Sequence, residues 1–265
     1  MVEKYDALIV GAGPAGVSAG ITTAKGGMST AIIERGDFAG SKNMFGGIVF
    51  TKPTAQIVPE FWKTAPIERR VIEYQYWLLS QESHVQINHR NQKFVKDFNS
   101  FTALRARFDK WFAQQAEAAG ALLLPKTTVT GVLKDSNGKI SGVETDRGEL
   151  AADVVIACDG VNSLVSKGAG LHEEWKPEDI ALAVKETYSL PKDKIEDRFN
   201  REGRRRSCSS NLWGQERGIC RLSVYEQGHD FFWDRCDHER SRCVQNSSPG
   251  PIGLDEVTPI DKATA

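Results

Sequence analysis

The segment Gly11-Ala12-Gly13-Pro14-Ala15-Gly16 restricts the fold of this chain more than any other. It follows a short apolar run, Tyr5 to Val10, and opens an Ala-rich stretch, Pro14 to Lys25, that Gly26-Gly27 ends. Thr30 to Glu34 is β-branched and apolar and closes on an acid. Strand, glycine turn, helix and strand within about 30 residues form the βαβ unit that binds dinucleotides. Glycines cluster in many turns, so the motif counts through this context. Each residue type has its reason there. Gly11 makes the turn, Gly13 lets the backbone approach a pyrophosphate, and Gly16 lets helix and strand pack closely. The helix N-terminus offers N–H groups and positive potential to the phosphates. Glu34 can accept hydrogen bonds from both hydroxyls of an adenosine ribose.

A length of 265 residues allows one large domain or two modest ones. A net charge of -1 gives no global electrostatic case for nucleic acid or acidic lipid. No apolar run approaches the roughly 18 residues a transmembrane helix needs. Ala7 to Val10 sits behind Glu3, Lys4 and Asp6 and lacks the shape of a signal peptide, so cytoplasmic placement is the default expectation. Residues 36–60 read as loop, punctuated by Gly and Pro. Val71 to Leu79, His84 to Asn88, Ala121 to Leu124, Thr128 to Leu133, Ile140 to Thr145 and Asp153 to Ala157 read as strands. Between them, Leu104, Phe108, Trp111, Phe112, Gln115 and Ala119 recur every three or four residues and mark a helix that Gly120 stops. Asn137-Gly138 suggests a two-residue type I′ hairpin turn. Ala181 to Leu190 reads as the start of a second sheet. His84 and His89 have no partner at ligand spacing, and Cys158 follows four apolar residues, as an inert buried cysteine would.

Four segments then carry a resemblance. They are the glycine loop, Gly40-Ser41-Lys42-Asn43-Met44-Phe45-Gly46-Gly47, the stretch Phe101 to Ala121 with Arg105 and Phe108-Asp109, and Cys158-Asp159-Gly160-Val161-Asn162-Ser163. In this order they resemble the electron-transfer-flavoprotein–quinone oxidoreductase family, FixC branch, within the geranylgeranyl reductase superfamily. Where that superfamily has a Lys-x-Cys-Gly-Gly loop, Met44-Phe45 stands in place of the cysteine. The resemblance covers about residues 1–200. It implies an α/β fold, a Rossmann-like three-layer ββα domain that binds FAD, with the start of a β-rich substrate domain. Residues 1–180 would form the FAD domain, with substrate-domain strands inserted around 70–100, and 181–200 would begin the second sheet. Gly11, Gly13, Pro14, Ala15 and Gly16 would bind the FAD pyrophosphate, and Glu34, with Arg35 beside it, the adenosine ribose. Lys42 and Asn43 would lie in the cofactor loop, and Gly46-Gly47 would pass close to the isoalloxazine. Arg105 would reach the phosphates or the ribityl chain, Val129 the adenine, and Asp159-Gly160 would line the cleft. No catalytic side chain and no metal ligand is assigned, since electron transfer is the flavin's chemistry. The implied activity passes electrons from an electron-transfer flavoprotein toward quinone, with a ferredoxin-like protein as a further partner, in electron transport linked to nitrogen fixation. No nucleic acid and no transmembrane segment enters, and peripheral contact with the inner membrane stays open. A prenyl reductase or a flavin monooxygenase would use the same scaffold.

The composition changes abruptly near residue 200. Residues 1–200 hold sixteen Lys and eight Arg, whereas Arg201 to Ala265 hold nine Arg and one Lys. Four of the five cysteines, Cys208, Cys220, Cys236 and Cys243, fall in this tail. Their intervals, C-x11-C, C-x15-C and C-x6-C, lack the close pairs typical of zinc or iron–sulfur sites. A basic flexible tail is one reading. A frame-shifted translation accounts for more. Family members continue with a segment containing Tyr-Thr-Asn-Lys-Asp. Codons allowed for Val224 to Phe231, GTA TAC GAA CAA GGA CAT GAC TTT, give Tyr-Thr-Asn-Lys-Asp-Met-Thr when read one base later. Such a tail is expected to be poorly packed or disordered. A third class of function then stands beside the two enzymes: a non-catalytic truncated product that binds FAD weakly.

Overall fold

The computed structural model describes residues 3–43, 46–79, 83–176, 179–180, 182–189, 207–214, 219–224, 230–237 and 258–259. In chain order they form β1 (Glu3–Val10), α1 (Pro14–Lys25), β2 (Thr30–Ile33), β3 (Gly46–Phe50), α2 (Thr51–Ile57), β4 (Val71–Leu79) and β5 (His84–Arg90). Next come α3 (Lys93–Lys96), β6 (Ser100–Leu104), α4 (Arg105–Ala118), β7 (Leu122–Leu124), β8 (Val129–Lys134), β9 (Ile140–Thr145) and β10 (Gly148–Ala157). Helix α5 (Leu164–Gly168) is followed by β11 (Leu182–Ser189), β12 (Ser207–Gly214), β13 (Ile219–Val224), β14 (Asp230–Asp237) and β15 (Thr258–Pro259). The chain divides into two units. The first comprises Met1–Met44, Pro53–Pro66 and Arg105–Trp175; the second comprises Phe45–Lys52, Ile67–Leu104 and Lys176–Ala265.

The first unit is built on a six-stranded sheet in the order β7-β2-β1-β10-β9-β8. Its first four strands are parallel, and β9 and β8 complete it antiparallel. Strand β2 is buried at every position, which explains why Thr30 to Ile33 reads as a continuous apolar run and not an alternating one. Helix α1 buries Val17 and Ile21, and Gly20 brings it close to β2: a Cβ there would lie 2.4 Å from Ile32 Cδ1. Helix α4 buries Phe108, Phe112, Ala113 and Ala116. Phe61 packs edge-on against Phe108 at 6.4 Å between ring centroids. Each such buried phenyl ring contributes about 1.5–3 kcal/mol of hydrophobic stabilisation.

Two local expectations change. Residues 36–60 are not loop throughout, because β3 and α2 lie within them. The cause is non-local: β3 pairs antiparallel with β6, with Gly46 opposite Leu104 and Phe50 opposite Ser100. Pro53 falls in the first turn of α2, where its missing N–H costs no hydrogen bond. The β8–β9 turn is not type I′ either. Only Gly138 takes a positive φ, of 80°, while Asn137 does not. Gly138 donates to the Asp135 carbonyl at 2.9 Å and Asp135 N–H donates to the Lys139 carbonyl at 2.8 Å. This is a type I turn with a glycine bulge, selected by Asp135, whose carboxylate accepts from the Asn137 and Lys139 amides.

The second unit holds a seven-stranded sheet in the order β15-β11-β14-β13-β12-β4-β5 and the β3–β6 pair. Strands β4 and β5 belong to it. Four described segments of the Arg-rich tail are strands here: β12 runs parallel to β4, β13 pairs with β12, β14 with β13 and β11, and β15 with β11. These pairings join backbone groups, which every sequence carries. Residues 201–206, 215–218, 225–229, 238–257 and 260–265 of the tail lie outside the described residues.

Candidate functional site

The glycine segment sits where β1, β2 and β10 end together. Gly11 N–H donates to the Ile33 carbonyl and Cys158 N–H to the Val10 carbonyl, both at 2.8 Å. Gly11 adopts φ 102°, and a Cβ on it would lie 2.4 Å from the Cys158 carbonyl oxygen. At Gly16 the fit is tighter still, since a Cβ would lie 1.8 Å from the Gly11 carbonyl oxygen. The protein itself therefore requires glycine at both positions. Gly13 differs. It is the N-cap of α1 in ordinary extended geometry, φ -72° and ψ 177°, and a Cβ there would meet nothing within 4 Å. Open space is what a close ligand approach requires.

Pro14, the first residue of α1, has no N–H, and the amides of Ala15 and Gly16 find no acceptor within their own helix. The first turn contains no acid, and Gly13 supplies no side-chain cap. Donors and the positive end of the helix are thus left to an anion. This arrangement fits a pyrophosphate.

Half-buried Glu34 closes the other side. Its Oε2 accepts from the Ala12 amide at 3.0 Å and its Oε1 from the Gly36 amide at 2.6 Å. The acid at the end of β2 thus ties the glycine loop to the loop after β2. Two carboxylate oxygens carry about four acceptor positions, so both retain capacity for hydroxyl donors. The Glu34 N–H and C=O are also spent, on the Leu124 carbonyl and the Thr127 amide, which fixes the strand end that carries the side chain.

A second cluster in the same unit centres on Asp109, which is 1% exposed at its side chain. It accepts from Arg105 Nε at 2.8 Å, Arg105 Nη2 at 2.9 Å and Asn43 Nδ2 at 2.7 Å. Arg105, one turn before Asp109 on α4, is thereby held in a bidentate pair. Lys42 and Arg35 are exposed, as are Pro14 and Ala15. Val129 begins β8, half-buried, opposite Thr145. Gly160 is exposed with φ 69°. Asp159 spends its carboxylate locally: Oδ2 accepts from the Val165 amide at 2.6 Å and caps the start of α5. Gly46 and Gly47 are buried in β3, in the second unit, paired with Leu104 and Ala103. The fold thus gathers Gly11–Gly16 with Glu34, and joins Asn43 to Arg105. Asp109 falls within the motif that carries the resemblance but was given no role in the site from sequence, although its spacing from Arg105 is the i, i+4 signature of a helical ion pair.

Cys158 is half-buried beside the glycine turn. Burial, and then the neighbouring Asp159 charge, push its thiol pKa up. The thiolate is the reactive form, so a raised pKa slows alkylation at pH 8. Peptide mapping after iodoacetamide treatment is expected to find Cys158 modified more slowly than a free cysteine; equal rates would contradict its inert placement. Among the described residues no group of three or more His, Cys, Asp or Glu could hold a metal ion, and no helix is long and apolar enough to cross a membrane.

The model of the family described as FAD dependent oxidoreductase matches residues 6–228. The chain is 45% identical over 204 residues to protein FixC of Azorhizobium caulinodans, covering 76% of this chain and 47% of that protein. To the probable electron transfer flavoprotein-quinone oxidoreductase YdiS of Escherichia coli it is 41% identical over 202 residues, again 76% and 47%. The chain thus spans about half the length of the curated relatives it matches. Among solved structures, a geranylgeranyl bacteriochlorophyll reductase-like protein of Thermoplasma acidophilum superposes with a TM-score of 0.73. The sequences are 23% identical, and the match covers 90% of this chain and 57% of the other. That likeness concerns the fold.

Proposed function

The chain belongs to the FAD dependent oxidoreductase family, and on that premise we propose that its first unit binds FAD for electron transfer of the FixC kind. The observation that carries this reading is the joint geometry of Gly13 and Glu34. Gly13 leaves open space before an uncapped helix N-terminus, and Glu34 faces the same loop with acceptor capacity to spare. The Ala15 and Gly16 amides would hold the pyrophosphate and Glu34 the adenosine ribose, with Arg35 flanking it. Arg105, Lys42 and Asn43 would add charge and hydrogen bonds on the α4 side. Val129 would offer its backbone to the adenine, and Asp159, by capping α5, would fix the turn at Gly160. Bound there, FAD supplies electron and hydride transfer, and the protein supplies orientation and exclusion of water.

By resemblance to FixC and YdiS, the donor would be a reduced electron-transfer flavoprotein and the acceptor a quinone, with a ferredoxin-like protein as a further partner. The test is reduction of a quinone analogue by the FAD-loaded chain with a reduced electron-transfer flavoprotein as donor. Turnover under these conditions is the expected result. Rapid NAD(P)H oxidation provoked by an organic substrate would instead assign a hydroxylase or reductase on the same scaffold.

The tail favours a second reading. The exchange of Lys for Arg at residue 201 accompanies matches to FixC that cover 76% of this chain, although the family model extends to residue 228. We propose that residues 201–265 are read in a frame different from that of the relatives. FAD would then bind weakly and have to be added, because residues 201–265 would not carry the relatives' sequence. Sequencing the DNA beyond codon 200 in all three frames decides the point. A frame encoding the relatives' continuation is expected; flavin that co-purifies stoichiometrically would overturn the consequence.

A further inference from the structure

The loop from residue 38 to 43 is seated on the first two turns of α4 by three separate contacts. Gly40, at φ 87°, lies so close that a Cβ would be 2.7 Å from Asp109 Cβ, 3.2 Å from the Arg105 carbonyl oxygen and 3.3 Å from Ala106 Cα. Lys110 Nζ lies 5.2 Å from the centroid of the Phe38 ring. Asn43 Nδ2 donates to Asp109 Oδ2 at 2.7 Å. Two turn bonds, Ser41 N–H to the Phe38 carbonyl at 3.0 Å and Asn43 N–H to the Gly40 carbonyl at 2.9 Å, stiffen the loop itself.

Asp109 is the point at which this loop and the Arg105 guanidinium meet. Its side chain is 1% exposed, whereas that of Arg105 is 20% exposed. A carboxylate so placed has no use as a solvated charge. It is tolerated because three side-chain N–H groups compensate its lost hydration. Its Oδ1 is held by Arg105 alone and its Oδ2 is shared between Arg105 and the Asn43 amide. A shift of the guanidinium would therefore leave a buried acceptor unsatisfied, and a shift of Asn43 would remove one of the two donors on Oδ2. The guanidinium is planar with its donors in a fixed fork, so a bidentate hold on one edge sets the direction of the opposite edge.

We propose that Asp109 is a positioning residue for cofactor binding: it aims the outer edge of Arg105 at the pyrophosphate and fixes Asn43 beside it. The inference rests on the reading of Arg105 and Asn43 as FAD contacts. Neither charge nor volume of Asp109 would meet the cofactor; it acts through its two partners. An isosteric Asp109→Asn exchange turns one acceptor into a donor facing donors, so Arg105 and Asn43 lose their common anchor.

The test combines FAD titration with amide exchange on the full chain. Asp109→Asn is expected to weaken FAD by about 10-fold, the size of one misdirected charge-assisted hydrogen bond. In Arg105→Ala the same exchange is expected to add nothing. Additive losses, or an affinity for FAD within about 2-fold of the unaltered chain, would overturn the inference. Without ligand, the Ser41 and Asn43 amides are expected to exchange about 10-fold faster in Asp109→Asn, while those of Phe112 to Ala116 keep their rates. Unchanged loop exchange would also overturn it. Failure of the unaltered chain to bind added FAD would defeat the functional reading alone, and loop exchange would still decide the role of Asp109. Asn43→Ala leaves the helical ion pair intact; should Asp109→Asn fail to fold, faster exchange of the Ser41 amide in that variant supports the inference and unchanged exchange overturns it.

Discussion

Gly16→Ala is expected to destabilise the first unit by about 3 kcal/mol, because the new Cβ meets backbone and not a movable side chain. The Gly11 carbonyl oxygen would lie 1.8 Å away and its carbonyl carbon 3.0 Å. Relief requires α1 to move off β1, which would uncover Val17 and Ile21. Thermal unfolding should fall by about 6–12 °C, at 2–4 °C per kcal/mol for a chain of this size. Gly13→Ala is the counterpart. Its Cβ meets nothing within 4 Å and its φ of -72° suits any residue. Unfolding should therefore change by less than about 2 °C, while affinity for added FAD falls about 10-fold or more as the methyl group occupies the approach of the pyrophosphate. A Gly13→Ala chain that binds FAD normally would refute the placement of the phosphates. A Gly16→Ala chain with unchanged melting would refute the packing argument.

Glu34→Ala is expected to carry the largest loss of affinity, about 100-fold for FAD. The carboxylate accepts from the Ala12 and Gly36 amides, and by the functional reading from the ribose as well. Its removal leaves two amides without an acceptor and loosens the glycine loop that the phosphates require. The cost to the fold itself is about 2 kcal/mol, moderated by water that reaches a half-buried site. Titration of FAD against the variant checks the first figure and chemical denaturation the second. Glu34→Gln should fall between: one of its terminal atoms still accepts, while the other faces an N–H donor with a donor. Equal affinity for FAD in all three chains would remove Glu34 from the site.

The parts of the site that were legible in the sequence are those fixed by local geometry. Gly11, Gly16 and Glu34 fall within one βαβ unit, and α1 spans Pro14–Lys25 as its glycine boundaries suggest. Arg105 was legible as a helix-start cation. What was not legible depends on pairing across distance. The β3 strand was hidden because its partner, β6, comes about fifty residues later, and Gly46-Gly47 look like loop until Leu104 and Ala103 lie opposite them. The turn at residues 135–139 was misread because Asn-Gly permits two hairpin types, and the acceptors on Asp135 decided between them.

The sequence by itself determined that a dinucleotide loop opens the chain, that an acid closes the following strand, and that the composition breaks near residue 201. Spacing along one chain segment carries that information, since turn, helix and strand are set by residues within a few positions of one another. The tertiary structure alone decided which glycines the protein needs for itself. Gly11 and Gly16 are pressed against backbone, whereas Gly13 faces open space. It also decided that Arg105 is not a loose surface cation. Asp109 holds it together with a loop more than sixty residues away in sequence. Proximity of that kind follows from how the helix and loop pack on the sheet, and no local pattern of residues contains it.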